Sequence, residues 1–342
     1  MKLTPRQQKI LAAIVEVYTK TGEPVGSKIL SQRPDLNAAP ATIRSEMARL
    51  FELGYLEQPH TSAGRIPSHM GFREYIDTLM TCDPLTGEEQ AEIASLFNVK
   101  NPDPDKLLED AAQALAEYTG YASVTSSIVP EQVSVKRIEL IIAGHNTAVI
   151  LLIASNGMIK SRVCRVDFLV TEELIDFFQK FINARFVGRT LASLNLMYIN
   201  SVSVTLGEYA RIFNSLLIAL YELCREISLG QYYIGGGSRI LHYDELSRLA
   251  AGVFTLLEDR QRVHGIFAPR EAEFNIIIGK ENASSELSAA AVVSTSYLVG
   301  GHPGGTVGLI GPVRLNYAKL LPHLEYFAKT LGELLSETLE TE

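Results

Sequence analysis

The chain has 342 residues, of which 46% are hydrophobic and 20% are charged, with a formal net charge of −8. This length favours two or three domains, and the composition is ordinary for a soluble protein with apolar cores. Because no apolar run reaches about 18 residues and the first residues are polar, we expect neither a transmembrane helix nor a signal peptide.

The first 38 residues predict two helices. Thr4 and Gln7 have the spacing of a capping box, and Gly22 ends the first helix. A short second helix begins at Gly26-Ser27, and a turn through Asn37 follows it. The apolar residues of the first helix recur at helical spacing and predict its buried face: Ile10, Leu11, Ile14, Val17 and Tyr18.

The next stretch, residues 39–54, predicts a third, amphipathic helix. Pro40 suits the first helical position, where its missing N–H has no partner to lose, and Gly54 can adopt the left-handed conformation that ends a helix. The predicted buried face consists of Ile43, Met47, Leu50 and Phe51. The opposite face combines small, hydroxyl and basic side chains, as in a helix that lies in a DNA major groove: Thr42, Arg44, Ser45, Ala48 and Arg49.

A short β-hairpin completes this part of the chain. Residues 55–58 alternate apolar and polar, Gly64 allows the bend, and Ile66-Pro67 closes the hairpin. Helix, short helix, turn, helix and hairpin is the order of a winged helix-turn-helix. The alternative interpretation is a solvated amphipathic helix beside an ordinary hairpin. The predicted DNA contacts outside the third helix are His60, Thr61, Ser62 and Arg65 in the wing, with Ser27 and Lys28 holding phosphate at a helix N-terminus.

The distribution of charge agrees with this placement of a DNA-binding surface. Residues 1–80 contain ten Lys or Arg and eight Asp or Glu, which gives a net charge of +2. The remainder therefore carries −10. The asymmetry places the nucleic-acid surface at the N-terminus and argues against contact between DNA and the rest of the chain.

The remaining residues predict a mixture of helices and strands. Short turns, one with the Asn-Gly hairpin signal, join three of the strands into an antiparallel meander. We expect helices over 68–80, 88–97, 105–118, 171–182, 206–229, 246–257 and 317–339, and strands over 121–128, 135–143, 147–154, 158–166, 232–234, 274–279, 291–298 and 306–310. Residues 300–305, which contain four glycines, predict a flexible loop.

No pattern typical of an enzyme is present in the sequence. The glycine run 235–237 lacks the Lys-Ser/Thr of a P-loop and predicts a bend between strand and helix. His302 has no partner at a metal-ligand spacing, and no catalytic motif surrounds the other histidines. Cys82, Cys164 and Cys224 are far apart and odd in number, so we expect reduced thiols in the cytoplasm. We therefore expect no catalytic residues, no cofactor and no metal.

Several contiguous motifs resemble the HrcA family of bacterial heat-inducible transcription repressors. They are V-G-S (25–27), A-T-I-R-S-E-M-A (41–48), L-G-Y-L (53–56), H-T-S-A-G-R-I-P-S (60–68), Y-I-G-G-G-S (233–238), I-G-K-E-N (278–282) and G-L-I-G-P-V-R-L-N-Y (308–317). The resemblance covers almost the whole chain. The chain departs from the family pattern at Ala39-Pro40, where a serine cap is usual, and at Ser45, where asparagine is usual. The first departure weakens the helix cap by about 1 kcal/mol.

The resemblance implies an α+β multidomain architecture. Its parts are a winged helix-turn-helix over 1–82, a linker over 83–104, a GAF-like α/β sensor-type domain over 105–170 and 235–342, and an inserted helical dimerisation domain over 171–234. It also implies a cytoplasmic homodimer that binds an inverted-repeat operator, the CIRCE element, upstream of chaperonin and dnaK-type operons. Heat stress would release the repressor, and the GroEL chaperonin would help it to reach its active state.

Two other functions remain open from the sequence. In the first, the GAF-like domain binds a metabolite and shifts a dimer between two DNA-binding geometries. In the second, the protein is architectural and binds DNA without sequence preference, so that salt dominates its affinity.

Overall fold

The computed structural model describes residues 3–60, 63–97, 103–127, 133–155, 158–269 and 272–340. The fold is a mixed α+β fold. Two compact units divide the chain, the first formed by residues 1–126 with 233–342 and the second by residues 127–232. Across the described ranges, no helix is both long and apolar enough to cross a membrane.

The first unit begins with three helices, a small hairpin and a fourth helix. They are α1 (Pro5–Thr21), α2 (Ser27–Leu30), α3 (Pro40–Glu52), β1 (Leu56–Glu57), β2 (Ile66–Pro67) and α4 (His69–Glu74), which a π-helical turn extends over Tyr75–Leu79. The capping box is confirmed, since the Thr4 N–H donates to Gln7 Oε1 at 3.0 Å. The predicted end of α1 is also confirmed by Gly22, whose φ of 70° is left-handed.

Three of the four residues predicted to bury α3 do so. Ile43, Met47 and Leu50 are buried against α1 and α2. The prediction for Phe51 is wrong, because its side chain is 43% exposed. Phe51 lies at the last turn of the helix, where the Arg65 guanidinium covers its ring 4.9 Å from the centroid. The Phe51 ring therefore contacts the Arg65 guanidinium of the hairpin instead of the apolar core.

A five-stranded sheet forms the second part of this unit. Its strands are β3 (Ala122–Ser127), β7 (Tyr232–Gly235), β8 (Phe274–Ile278), β9 (Ala290–Val299) and β10 (His302–Pro312), in the order β7-β3-β10-β9-β8. The helices are α5 (Gly87–Ser95), α6 (Pro104–Thr119), α10 (Asp244–Ser247), α11 (Ala250–Glu258), α12 (Arg260–Phe267) and α13 (Tyr317–Glu340). Helix α13 packs closely on β9, because Gly332 has no side chain to meet the Leu298 carbonyl.

The second unit contains a three-stranded sheet and three helices. The elements are β4 (Val135–Gly144), β5 (Thr147–Ala154), β6 (Ile159–Arg165), α7 (Glu172–Phe186), α8 (Leu196–Thr205) and α9 (Ala210–Ser228). The antiparallel order β4-β5-β6 confirms the predicted meander. The asparagine and glycine of its second turn lie outside the described residues.

The meander does not belong to the domain in which the sequence placed it. Its buried residues, such as Ile150 and Leu152, share one apolar core with Phe178 of α7 and Phe213 of α9. The inserted unit therefore spans residues 127–232 rather than 171–234. Periodicity identified each strand but could not show which helices cover the sheet.

Three other details differ from the expected elements. Helices α8 and α12 were not predicted, and the helix expected over 246–257 is divided into α10 and α11. The glycine-rich residues 300–305 form a tight turn and the start of β10 rather than a flexible loop. Gly300 and Gly301 make this turn with φ values of 55° and 78°, which most other residues avoid.

Candidate nucleic-acid interface

The solvent-facing side of α3 is basic and carries little acidic charge. Arg44, Ser45 and Arg49 are exposed, and Thr42 is half-buried. The one acidic residue within this part of the helix, Glu46, accepts a hydrogen bond from Gln7 Nε2 of α1 at 3.1 Å. This contact directs the Glu46 carboxylate toward α1.

The two arginines of α3 differ in their contacts. The Arg44 side chain forms no hydrogen bond or ion pair with any residue that the structure describes. Arg49 pairs with Glu52 one turn later, with Nη1 and Oε2 2.8 Å apart, but both side chains are more than half exposed. Such a pair contributes about 0.3–0.5 kcal/mol and can be exchanged for another anion.

The hairpin after α3 is anchored at its base. Arg65 N donates to Val25 O and Val25 N donates to Arg65 O, both at 2.9 Å. Gly64 permits this approach, because a Cβ there would lie 2.4 Å from the Val25 carbonyl oxygen. At the tip, Ala63 N donates to the carbonyl of the exposed His60 at 2.9 Å. Two predicted contact residues, Thr61 and Ser62, lie outside the described residues.

Arg65 connects the hairpin to the end of α3. Its guanidinium covers the Phe51 ring, and its Nε is buried without a hydrogen-bond partner among the described residues. The structure thus places the side chain of Arg65, a predicted DNA contact, against Phe51 of α3 rather than in open solvent. Sequence patterns gave no sign of this contact, because it joins a helix to a hairpin that no periodicity relates.

The remaining predicted residues lie at α2. Ser27 is half-buried and Lys28 is exposed, in a helix of only four residues whose cap, Gly26, offers no side-chain hydrogen bond. A helix this short has a small dipole, so Lys28 is the main source of positive charge there.

Contacts between α4 and the edge of the large sheet fix the N-terminal elements in place. Arg73 donates from Nη2 to the carbonyl of Ile276 in β8 at 2.9 Å and from Nε to Glu281 at 3.0 Å. His69 Nε2 lies 3.0 Å from the Ile278 carbonyl oxygen. Burial opposes ionisation of Glu281, but hydrogen bonds from Arg73 and from the Ile278 N–H outweigh it, so the pKa of this carboxyl is lowered.

The described residues do not provide a metal site. None of the His, Cys, Asp and Glu side chains within the described ranges form a group of three or more that could hold a metal ion. The thiols of Cys164 and Cys224 are buried, and burial raises the pKa of both, to about 12 for Cys224. These thiols are therefore poor metal ligands and poor nucleophiles at neutral pH.

Comparison with known proteins relates the whole chain to one group of regulators. Residues 105–321 match the family model described as the HrcA protein C-terminal domain. The chain is 34% identical to the "Heat-inducible transcription repressor HrcA" of Moorella thermoacetica, with 99% of each chain covered. It is 32% identical to the protein of the same name from Clostridium botulinum (strain Eklund 17B / Type B), with 98% of this chain and 99% of that one covered.

A solved structure supports the fold independently. A crystal structure of a hypothetical protein matches with a TM-score of 0.60 and 24% identity, covering 98% of this chain and all of the other. At that identity, the similarity concerns the fold alone.

Proposed function

Because this chain belongs to the HrcA family, we propose that it is a transcription repressor of heat-shock genes that binds double-stranded DNA through α3. The observation that supports the site is the exposed face of α3, on which Arg44 has no partner among the described residues and Glu46 is held away by Gln7. A rigid helix with an unpaired arginine on a basic face suits direct contact with base edges. The proposed role is binding rather than catalysis.

The N-terminal elements are assigned as a winged helix-turn-helix. In this assignment α3 is the recognition helix, with Arg44 contacting a guanine edge, and Thr42, Ser45 and Arg49 contacting bases or phosphates. The hairpin is the wing, with His60, Thr61, Ser62 and Arg65 at its contact with DNA. Ser27 and Lys28 hold a phosphate at the start of α2.

The inserted unit is proposed to form the homodimer. Twelve of the eighteen large, exposed apolar side chains among the described residues lie in this unit, which is less than a third of the chain. An antiparallel sheet commonly packs one face on the core and exposes the other, polar face to water. Here the outer face of β4-β5-β6 (the outer sheet face) carries six apolar side chains beside the charged Arg137, Glu139 and Arg165, and the six are Ile141, Val149, Leu151, Ile153, Ile159 and Val163.

A two-fold dimer explains the expected operator. Two copies of α3 related by a two-fold axis match two half-sites of an inverted repeat, so the proposed target is the CIRCE element upstream of chaperonin and dnaK-type operons. The large sheet with its helices is assigned as the GAF-like domain. The repressor acts in the cytoplasm, leaves its operator on heat stress, and reaches its active state with the help of the GroEL chaperonin.

A fluorescence anisotropy titration at fixed salt tests the proposed target. The purified protein is titrated with the inverted-repeat duplex and with a scrambled duplex, with and without GroEL. We expect the operator to bind about 10³-fold or more tightly than the scrambled duplex, and GroEL to increase the active fraction. Equal affinities for both duplexes would contradict the proposed target.

Substitution of Arg44 tests the proposed site. Arg44→Ala should weaken operator binding by about 1–3 kcal/mol, because a bidentate contact to a base is lost. Arg248→Ala is the matched control, since Arg248 is also exposed and lies in the acidic remainder of the chain. An operator affinity that is equal in both variants, with the fold intact by circular dichroism, would exclude Arg44 from the interface.

A further inference from the structure

A cavity of about 480 Å³ lies between α5, the C-terminal end of α6 and the first turns of α13. Tyr118 and Tyr121 contribute its aromatic walls, and its rim carries the carboxylates of Glu89, Glu92 and Glu117. The volume is within the range of small-molecule sites. The DNA-binding function proposed above does not use this cavity.

His323 supplies a buried hydrogen-bond acceptor to the cavity. The residue lines the cavity and is only 5% exposed. Its Nδ1 lies against the backbone carbonyl oxygen of Lys319, one turn earlier in α13. Because a carbonyl can only accept, Nδ1 carries a proton, so Nε2 is an acceptor whenever the ring is neutral. Nε2 is buried and has no hydrogen-bond partner in the described part of the chain.

A second acceptor faces the same space. Glu89 Oε1 lies 3.4 Å from His323 Nε2 and 3.3 Å from Lys319 Nζ. The Thr86 N–H, and after it Lys319, lower the pKa of Glu89 to about 2, so this carboxylate is ionised. His323 Nε2 and a carboxylate oxygen thus face one another, and a donor group placed against both would satisfy the carboxylate and the neutral form of the ring.

The charge of the cavity selects the kind of donor. The Lys319 ammonium is balanced by Glu89, which leaves Glu92 and Glu117 as excess negative charge at the rim. The Tyr118 ring lies 5.7 Å from the His323 ring. Burial raises the pKa of Tyr118, and the negative charges of Glu92 and Glu89 raise it further. Acidic groups beside aromatic faces attract organic cations.

We propose that this cavity binds a small organic cation with N–H donors, such as an alkyl diamine or an alkylguanidinium, and that one N–H donates to His323 Nε2. The aromatic walls contact the alkyl chain, and Glu92 and Glu117 balance the charge.

The cavity adjoins the segment that connects the N-terminal elements to the sheet. Pro322 lacks an N–H, so the Ala318 carbonyl in α13 has no helical donor, and the Asp83 N–H of the connecting segment donates to it at 3.2 Å. Glu89 also accepts from the Thr86 N–H at 3.1 Å and caps α5. A bound cation would therefore stabilise the contact of this segment with α13 and raise the temperature of unfolding.

Isothermal titration calorimetry on the full chain tests the proposal without DNA. The probes are 1,4-diaminobutane and 4-aminobutylguanidine, compared with uncharged 1,4-butanediol and with tetramethylammonium, which has no N–H. All are titrated at one ionic strength, because screening affects every cation. We expect saturable binding of at least one donor cation with a Kd of about 1 mM or less, no binding of the diol, and affinity about tenfold or more lower for tetramethylammonium.

Three variants assign any binding to this cavity. His323→Phe keeps a buried ring and removes the acceptor, so it should weaken binding about tenfold or more. The double variant Glu92→Gln/Glu117→Gln should weaken binding through charge while leaving the buried residues intact, and it serves if His323→Phe does not fold. Glu333→Gln, exposed on the same helix, should have no effect.

Three results would overturn the proposal. The first is no saturable binding of either donor cation, which would leave His323 and Glu89 as a simple ion pair with a protonated imidazole. The second is equal binding of the diol. The third is an affinity that neither His323→Phe nor the double variant changes.

Discussion

At the scale of single residues, Glu281 determines how the N-terminal elements attach to the large sheet. Its carboxylate accepts hydrogen bonds from the Arg73 side chain and from the N–H of Ile278, the last residue of β8. His69 lies beside it, with Nε2 3.3 Å from Glu281 Oε1. Arg73 also covers the carbonyl of Ile276 on the edge strand β8. One carboxylate thus contacts two side chains of α4, Arg73 and His69.

The lowered pKa of Glu281 gives this attachment a defined pH dependence. A carboxyl whose folded pKa is below its unfolded value stabilises the fold above the unfolded pKa, and this contribution is lost as pH falls through the folded pKa. Glu281→Gln should therefore cost about 1–2 kcal/mol at pH 7. The loss of stability caused by Glu281→Gln should become smaller as the pH falls below 4.5, the ordinary pKa of a glutamate carboxyl.

Urea unfolding of the wild type and of Glu281→Gln at several pH values measures this difference. Glu333→Gln, whose carboxylate is 62% exposed and 3.9 Å from Lys329 Nζ, is the control and should cost little at any pH. A cost for Glu281→Gln that stayed constant down to pH 3 would show that the ionised carboxylate contributes nothing.

At the scale of secondary-structure elements, the hairpin depends on a close approach of two backbones. Gly64→Ala would place a Cβ 2.4 Å from Val25 O and 2.9 Å from the carbonyl carbon of Pro24. Because both are backbone atoms, the pairing of Val25 with Arg65 must open. We expect a loss of about 1–3 kcal/mol in the free energy of unfolding and weaker operator binding as the hairpin shifts.

Gly265→Ala provides the matched comparison within α12. No heavy atom lies within 4 Å of a Cβ at this position, so alanine should be neutral or stabilise the helix by up to about 1 kcal/mol. The two effects are measured as the denaturant midpoints and the operator affinities of Gly64→Ala and Gly265→Ala, each compared with the wild type. If Gly64→Ala were as stable as the wild type, the close approach at the hairpin base would not be needed.

At the scale of the whole molecule, the proposed dimer uses the outer sheet face. Val163 is 68% exposed and pairs across the sheet with Val149, which in turn pairs with Ile141. In a two-fold interface, one substitution is present twice. Val163→Lys should therefore convert the dimer into a monomer and weaken operator binding, because each half-site must then bind alone.

Analytical ultracentrifugation measures the oligomeric state of this variant directly. Leu298→Lys is the control, because Leu298 is a comparably exposed apolar residue, at 57%, in the other unit. If both variants remained dimeric, another surface would join the two copies.

The sequence by itself determined the features that depend on neighbouring residues. Thr4 and Gln7 predicted a cap, Gly22 and Gly54 predicted helix ends, and the apolar spacing of Ile43, Met47 and Leu50 predicted a buried face. Each of these is a local preference of the backbone or a periodicity within one element. The contiguous motifs also sufficed to indicate the family, which the comparisons confirm.

Only the tertiary structure decided which elements share a core and which side chains meet across them. It assigned the meander to the inserted unit, placed Arg65 over Phe51, and left His323 Nε2 buried opposite Glu89. These contacts join residues between 14 and 234 positions apart, over distances in the chain at which periodicity carries no information. Their geometry follows from packing, which fixes each side chain against its neighbours in space rather than in sequence.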